Sequence, residues 1–142
     1  MKPCLVDVNV WLALLIRHHV HHHLARRWFE GLDAGQAGLC RLVQLSLVRL
    51  LGNKSIMDGY EIAASEGWKA TEQLLADERV RFLPDSPAIE LIMPGLLNYD
   101  VPTPKLVTDA YLAALAIAES RSLVTLDRGF LQFGGLRVEL LN

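Results

Sequence analysis

Long apolar runs are missing from this chain. The longest, "VWLALLI", falls far short of the roughly 20 residues that a membrane-spanning helix needs. A membrane span is therefore excluded, although 51% of the residues are hydrophobic and the mean hydropathy is +0.24. Cysteine is scarce, with two in 142 residues. That excludes a disulfide framework, and Cys4 and Cys40, each inside an apolar stretch, read as free buried thiols of a cytoplasmic protein. Charge of one sign is also missing: the net charge is −2, so there is no global nucleic-acid signature. A nucleic-acid partner would have to be met by a local basic patch or through a metal. There is no repeat, low-complexity tract or linker, and the length suits one domain over residues 1–142 with a full core. The start, "MKPCLVDVN", meets Asp7 too early for the apolar region of a signal peptide.

What is present is an alternation of two periodicities. "PCLVDVN" reads as a buried strand ending at a carboxylate, and "VWLALLI" as a short buried helix. His21–Leu32 reads as an amphipathic helix with Leu24, Trp28 and Leu32 on one face. "AGLC" is a strand. Leu42–Leu51 is a helix stopped by Gly52 and Asn53. A less regular segment, "SIMDGYEIA", precedes a helix over Ile62–Ala76. "RVRFL" is a strand closed by Pro84 and Pro87. Ser86–Leu97 is a helix that Pro94 should kink or shorten, and "YDVPTPK" is a loop by its prolines. Leu106–Ser120 is a helix, and "SLVTL" and "RVELL" are strands. Strands alternating with helices predict an α/β fold: a mostly parallel sheet with helices on both faces.

All five histidines fall between His18 and His23. His18 with His22, and His19 with His23, have the spacing of one helical face, as a transition-metal site would want. The run lacks cysteine or carboxylate partners, and the plainer reading is a helix start with partly exposed imidazoles. Arg17, Arg26, Arg27 and Arg41 could form a basic patch, but solvated helix faces explain them equally well.

Three aspartates stand at telling places. Asp7 and Asp127 end apolar strands, and Asp109 lies near the start of a helix. In open α/β sheets, ligands bind at the carboxyl ends of the strands, where helix N-termini also point. Alone, each has an ordinary explanation: Asp109 as a first-turn charge or cap, Asp127 as a turn residue before Arg128 and Gly129. Asp7 has no such obvious capping role. Together at one edge, the three favour function. Clustered carboxylates stay ionised only with a cation among them, and hard oxygen ligands suit Mg²⁺ or Mn²⁺.

"LVDVNVWLAL" with Asp7 and Asn9, "VTDAYLAALAIAES" with Asp109, and "LVTLDRGF" with Asp127 resemble the PIN-domain ribonucleases, specifically the VapC-type toxins of bacterial toxin–antitoxin pairs. The likeness covers essentially the whole chain. It implies a three-layer α/β/α sandwich and an Mg²⁺- or Mn²⁺-dependent endoribonuclease that uses Asp7, Asp109 and Asp127. It also implies a small cognate antitoxin and, commonly, a homodimer. A subset of these toxins is similar at "HxHHxxAxxW", matched by His19, His21, His22, Ala25 and Trp28. That resemblance implies a native histidine run at the start of the second helix, near the RNA path.

The chain departs from the family pattern in one helix. There the family places a glutamate, in a pattern like "ELxRVL"; here the helix reads "LVQLSLVRLL". By the register of Arg49, Ser46 takes the acid's place, and Gln44 is the polar neighbour. A neutral side chain could hold a metal-bound water but not supply the charge, so one metal is expected in the free protein. Gln44 reads equally well as a buried amide. Thr125 could hold a metal water or simply favour a strand, and Arg49 could meet phosphate or pair with an acid. Two further readings are a non-catalytic module acting by dimerisation and antitoxin binding, and a phosphatase of the haloacid-dehalogenase type. The phosphatase motif wants an aspartate where Asn9 stands.

Overall fold

The computed structural model describes residues 2–98, 100 and 102–142. Among them, five short strands form one sheet: β1 (Cys4–Val6), β2 (Ala37–Cys40), β3 (Val80–Leu83), β4 (Ser122–Thr125) and β5 (Val138–Leu140). The spatial order is β3-β2-β1-β4-β5 and every pairing is parallel. The helices are α1 (Val8–Leu15), α2 (His22–Glu30), α3 (Arg41–Leu51), α4 (Lys54–Met57), α5 (Ala64–Ala76), α6 (Ile89–Leu96) and α7 (Pro104–Ala118), with a 3₁₀ turn over Arg128–Gln132.

The chain leaves β1 towards β2 and β3, then crosses back to β4 on the other side of β1. Right-handed crossovers in opposite directions put their helices on opposite faces. Accordingly α1, α3 and α5 pack side by side, while α6 packs on α7. The result is a three-layer α/β/α sandwich. β1 is its central strand, and Leu5 and Val6 are fully buried, as are Leu39, Leu123 and Val124 on the neighbouring strands. A buried strand covered on both faces reads as a continuous apolar run rather than an alternation, as "CLV" and "LVT" do.

Gly38 shows how closely the layers meet. A Cβ there would lie 2.5 Å from Leu83 Cδ1 and 2.8 Å from the Cys4 carbonyl oxygen. No side chain fits beside β1 at that point.

Several boundaries differ from the sequence expectation. α2 starts at His22 and buries Ala25 and Phe29, leaving Leu24, Trp28 and Leu32 half-buried. The core-facing stripe is rotated by one residue because Phe29 packs edge-on against Trp11, with ring centroids 6.1 Å apart. The irregular segment holds α4, ended by Asp58 and Gly59 at positive φ. The sixth helix runs through Pro94 to Leu96; it is shorter than expected at its start, Ile89 in place of Ser86, so Pro94 does not end it. In the predicted loop "YDVPTPK", Tyr99 and Val101 lie outside the described residues, and Pro104 and Lys105 belong to α7. Pro104 is its first residue, where proline costs no hydrogen bond and presets φ.

Candidate active site

β1 and β4 are neighbours, and the chain reverses its direction of winding between them. That reversal makes the carboxyl ends of these strands the natural crevice of the fold. Asp7 follows β1 directly, Thr125 ends β4, and Asp127 stands two residues further on. α7 contributes Asp109 to the same crevice.

Thr125 is the hub. Fully buried, its hydroxyl donates to Asp7 Oδ2 at 2.7 Å. Thr125 Oγ1 itself accepts the Asp127 backbone N–H at 3.0 Å and an Nδ2–H of Asn9 at 3.4 Å. Asn9 in turn accepts the Leu126 backbone N–H on its Oδ1 at 3.3 Å. Residues more than a hundred positions apart are thus tied by one small hydroxyl.

Asp7 is 6% exposed, and its Oδ1 accepts the Val8 backbone N–H at 2.8 Å. It is the N-cap of α1, a role the sequence reading did not give it. β1 runs into α1 without a loop, so one residue both ends the strand and starts the helix. Burial pushes the Asp7 carboxyl above its ordinary pKa; the bonds from Thr125 and Val8 oppose this, and Asp109 and Asp127 add to it. Asp109 is also raised, by burial first and then by Asp127, with Lys105 opposing. Asp127 accepts the Gly129 N–H on Oδ1 at 2.8 Å, fastening the 3₁₀ turn.

Asp109 changes character with the true start of α7. The helix begins at Pro104, so Asp109 lies beyond its first turn and cannot cap it. No hydrogen bond to its carboxylate occurs among the described residues. The ordinary explanation for this acid is gone, and its charge faces the crevice.

The three acids feel one another's charge, but among the described residues no three His, Cys, Asp or Glu side chains close on one point as a finished ligand shell. Two of the three carboxylates are engaged with backbone N–H groups, Asp7 with Val8 and Asp127 with Gly129.

The neutral residues of α3 separate. Gln44 has its hydrogen bonds elsewhere than the acids: it is 1% exposed and donates through Nε2 to Thr71 Oγ1 of α5 at 3.0 Å. Its Oε1 accepts from Arg41 Nη1 at 2.6 Å. Arg41 itself lies over Phe82 at 4.6 Å and Trp68 at 5.8 Å. The substrate-orienting role considered for Gln44 is therefore replaced by a link between α3 and α5. Ser46 is half-buried, and Arg49 is exposed in the last turn. At a rise of about 1.5 Å per residue, Arg49 stands roughly 12 Å along the axis from Arg41, away from the crevice.

A prediction follows from this arrangement. Gln44→Glu should leave Mn²⁺ affinity unchanged in a calorimetric titration. It should cost about 1–3 kcal/mol of stability in denaturant melts, because the new carboxylate meets an acceptor at Thr71. Tighter Mn²⁺ binding in this variant would show that residue 44 reaches the acids.

The histidine run starts α2 but shares no helical face. Residues 17–21 form turns, so the four-residue spacing from His18 and His19 is not helical. His19 Nδ1 accepts the His21 N–H at 3.0 Å, and His22 Nδ1 lies 2.9 Å from the Ala13 carbonyl. His18 lies tilted against Tyr60, with ring centroids 5.0 Å apart. The run lies beyond the C-terminal end of α1, the end opposite Asp7. Arg26 pairs with Glu30 at 2.9 Å on the surface, and Arg41 lies against Phe82 and Trp68.

Sequence reasoning missed Lys105, which it placed in a loop. Its Nζ lies 4.0 Å from Asp127 Oδ2. The proline two residues before the predicted helix was the available signal that α7 begins earlier.

The family model described as PIN domain matches residues 4–136. Ribonuclease VapC41 of Mycobacterium tuberculosis is 37% identical over 142 residues, covering 96% of this chain and 97% of the relative. Ribonuclease VapC29 of the same organism is 37% identical over 131 residues, covering 92% and 90%. Among solved structures, Rickettsia felis VapBC2 bound to a promoter DNA fragment superimposes with a TM-score of 0.66 at 14% identity, covering 97% of this chain and 98% of the other. VapC20 of M. tuberculosis, described as a sarcin-ricin loop cleaving toxin, gives 0.66 at 18% identity, covering 94% and 98%.

Proposed function

Since this chain belongs to the PIN-domain family and, within it, to the VapC-type ribonucleases, we propose that it cleaves RNA at the crevice of Asp7, Asp109 and Asp127 as the toxin of a toxin–antitoxin pair. The observation that carries the site assignment is the Thr125 hub, which draws Asp7, Asn9 and Asp127 to one edge of the sheet. Family membership sets aside the haloacid-dehalogenase reading. A non-catalytic module gives no reason to bury Asp7 against two further acids, an arrangement that raises its carboxyl and weakens the metal-free fold.

The residues fit a divalent cation, Mg²⁺ or Mn²⁺. Three carboxylates are hard oxygen donors, and burial and mutual repulsion leave Asp7 and Asp109 in want of positive charge. When bound, such an ion places positive charge against a phosphate oxygen and lowers the pKa of a water. The chain's own residues do the rest. Thr125 fixes the rotamer of Asp7 by donating to Oδ2, leaving Oδ1 shared with the Val8 N–H. Asn9 holds the backbone at Leu126, and so the direction in which Asp127 leaves β4. Asp109 brings a carboxylate that accepts no hydrogen bond among the described residues. Water adds to phosphorus, the bond from phosphorus to the 3′ oxygen breaks, and that oxygen gains a proton. The products carry a 5′-phosphate and a 3′-hydroxyl.

A cognate antitoxin and a second copy of the chain are the proposed partners. Leu91 of α6 is 85% exposed and Val107 of α7 is 49% exposed, leaving apolar surface for protein contact. Among the described residues, no helix is long and apolar enough to cross a membrane.

The test is a cleavage assay on a labelled oligoribonucleotide with protein stripped by chelator. Activity is expected to return with Mg²⁺ or Mn²⁺ and to stay absent in chelator. Equal cleavage with and without divalent ions would sink the metal reading.

A further inference from the structure

The acid crevice opens on one side into a cleft of about 360 Å³ whose lining includes Lys105, Asp109, Asp127, Gly129 and Gln132. Lys105 sits one residue into α7 after Pro104, and its side chain reaches back towards the 3₁₀ turn. Its Nζ lies 4.0 Å from Asp127 Oδ2, and its charge lowers the Asp109 carboxyl against the burial that raises it. The ammonium thus faces two of the three acids at once. It is a cation lining the cleft through which solvent reaches Asp109 and Asp127.

Charge balance gives this lysine a task. Two-metal phosphodiester sites clamp the attacking and leaving oxygens with two divalent ions. Three carboxylates cannot neutralise two such ions, and Gln44, the polar candidate for a further ligand, is turned into the α3–α5 contact. One divalent ion among three acids leaves one negative charge, and an incoming phosphodiester adds another. An ammonium at the rim offsets one of them without asking for a further ligand. A lysine serves phosphate as a compact point charge on a flexible stem, and a side chain 85% exposed is free to swing from Asp127 to RNA.

Resting on the ribonuclease reading above, we propose that Lys105 is a further catalytic residue. In the RNA-free protein its ammonium is the counter-ion of Asp127 and Asp109. When RNA enters, it moves to a non-bridging oxygen of the scissile phosphate and stabilises the charge that grows there. It remains an ammonium throughout, and no proton leaves it. An exposed ion pair of this kind adds little to folding, so Lys105 can be replaced without unfolding the domain.

The experiment compares wild type, Lys105→Met and Lys105→Arg in three measurements. Calorimetric Mn²⁺ titration of the RNA-free proteins should show Lys105→Met binding about threefold to tenfold tighter, since a competing cation at Asp127 is gone. Single-turnover cleavage of an oligoribonucleotide at saturating Mn²⁺ should fall by about thirtyfold to a hundredfold in Lys105→Met and be largely restored in Lys105→Arg. The slope of log affinity against log salt for a non-cleavable oligoribonucleotide should flatten by about 0.7, the share of one phosphate contact on a single strand. Tighter metal with slower cleavage is a pairing that mere structural damage does not produce. A Lys105→Met protein that cleaves at the wild-type rate, or binds RNA with an unchanged salt slope, would overturn the proposal. Failure of the ribonuclease reading looks different: wild type then cleaves no RNA with any divalent ion, and the catalytic role of Lys105 falls with it.

Discussion

Replacing Asp7 by Asn is expected to lower RNA cleavage by at least about a thousandfold, the equivalent of about 4 kcal/mol in the barrier, while the domain stays folded. The fold survives because Asn also caps helices and its Oδ1 still accepts the Val8 N–H. The loss is one of charge at the metal-binding edge. The same substitution has a stability signature that runs opposite to its effect on activity. The native Asp7 carboxyl is raised above its ordinary value by burial, with Asp109 and Asp127 adding to it. The native state then holds the proton more tightly than the unfolded chain does. Stability is therefore lost as pH rises through the native pKa and recovered as pH falls through it. Asn carries no such cost. The melting temperature of Asp7→Asn relative to wild type, both in chelator, should be more favourable at pH 7 than in acid. The lost acceptor for Thr125 offsets part of the gain at every pH, so the change with pH is the quantity to read. A difference that does not vary with pH would remove the electrostatic part of this account.

Thr125→Val should cost about 2–3 kcal/mol of stability, since it removes a bond to a buried carboxylate and leaves the Asp127 N–H unpaired. Cleavage should drop on the order of a hundredfold, because Asp7 loses the donor that fixes its rotamer and a misplaced catalytic group costs about that much. Val matches Thr in shape, so packing is kept and the hydroxyl alone is tested. Thr125→Ser, which keeps the hydroxyl, should retain most of the activity. Denaturant melts and single-turnover cleavage on the pair decide it. A Thr125→Val protein with wild-type cleavage would show that Thr125 favours its strand and nothing more.

Much of the candidate site's placement was legible in the sequence, for a physical reason. Asp7 and Asp127 each terminate a run of residues buried on both faces, and a charge at the end of such a run has to lie at a strand end. The parallel sheet followed from the alternation of short apolar runs with helical periods. The strand order did not, because nothing local records which side of β1 a crossover takes. The cap role of Asp7 was hidden by the direct passage from β1 into α1. Asp109 was placed too near its helix start because the prolines of "YDVPTPK" read as loop, and the same misplacement hid Lys105. Gln44 stayed ambiguous because its partner Thr71 is 27 residues away, on a helix whose facing side the sequence does not declare. The histidine run drew attention by composition, yet its four-residue spacing lost its meaning once the helix began at His22.

The most direct test of the central claim, that three carboxylates form one divalent-cation site, is a calorimetric titration of Mn²⁺ into metal-free wild type and Asp109→Asn. Asp109 caps no helix and accepts no hydrogen bond among the described residues, so this substitution removes charge and little else. The account predicts one Mn²⁺ per chain for wild type and binding abolished or severely weakened in Asp109→Asn, with both proteins equally folded by circular dichroism. Undiminished Mn²⁺ binding in folded Asp109→Asn, or none in wild type, would contradict it.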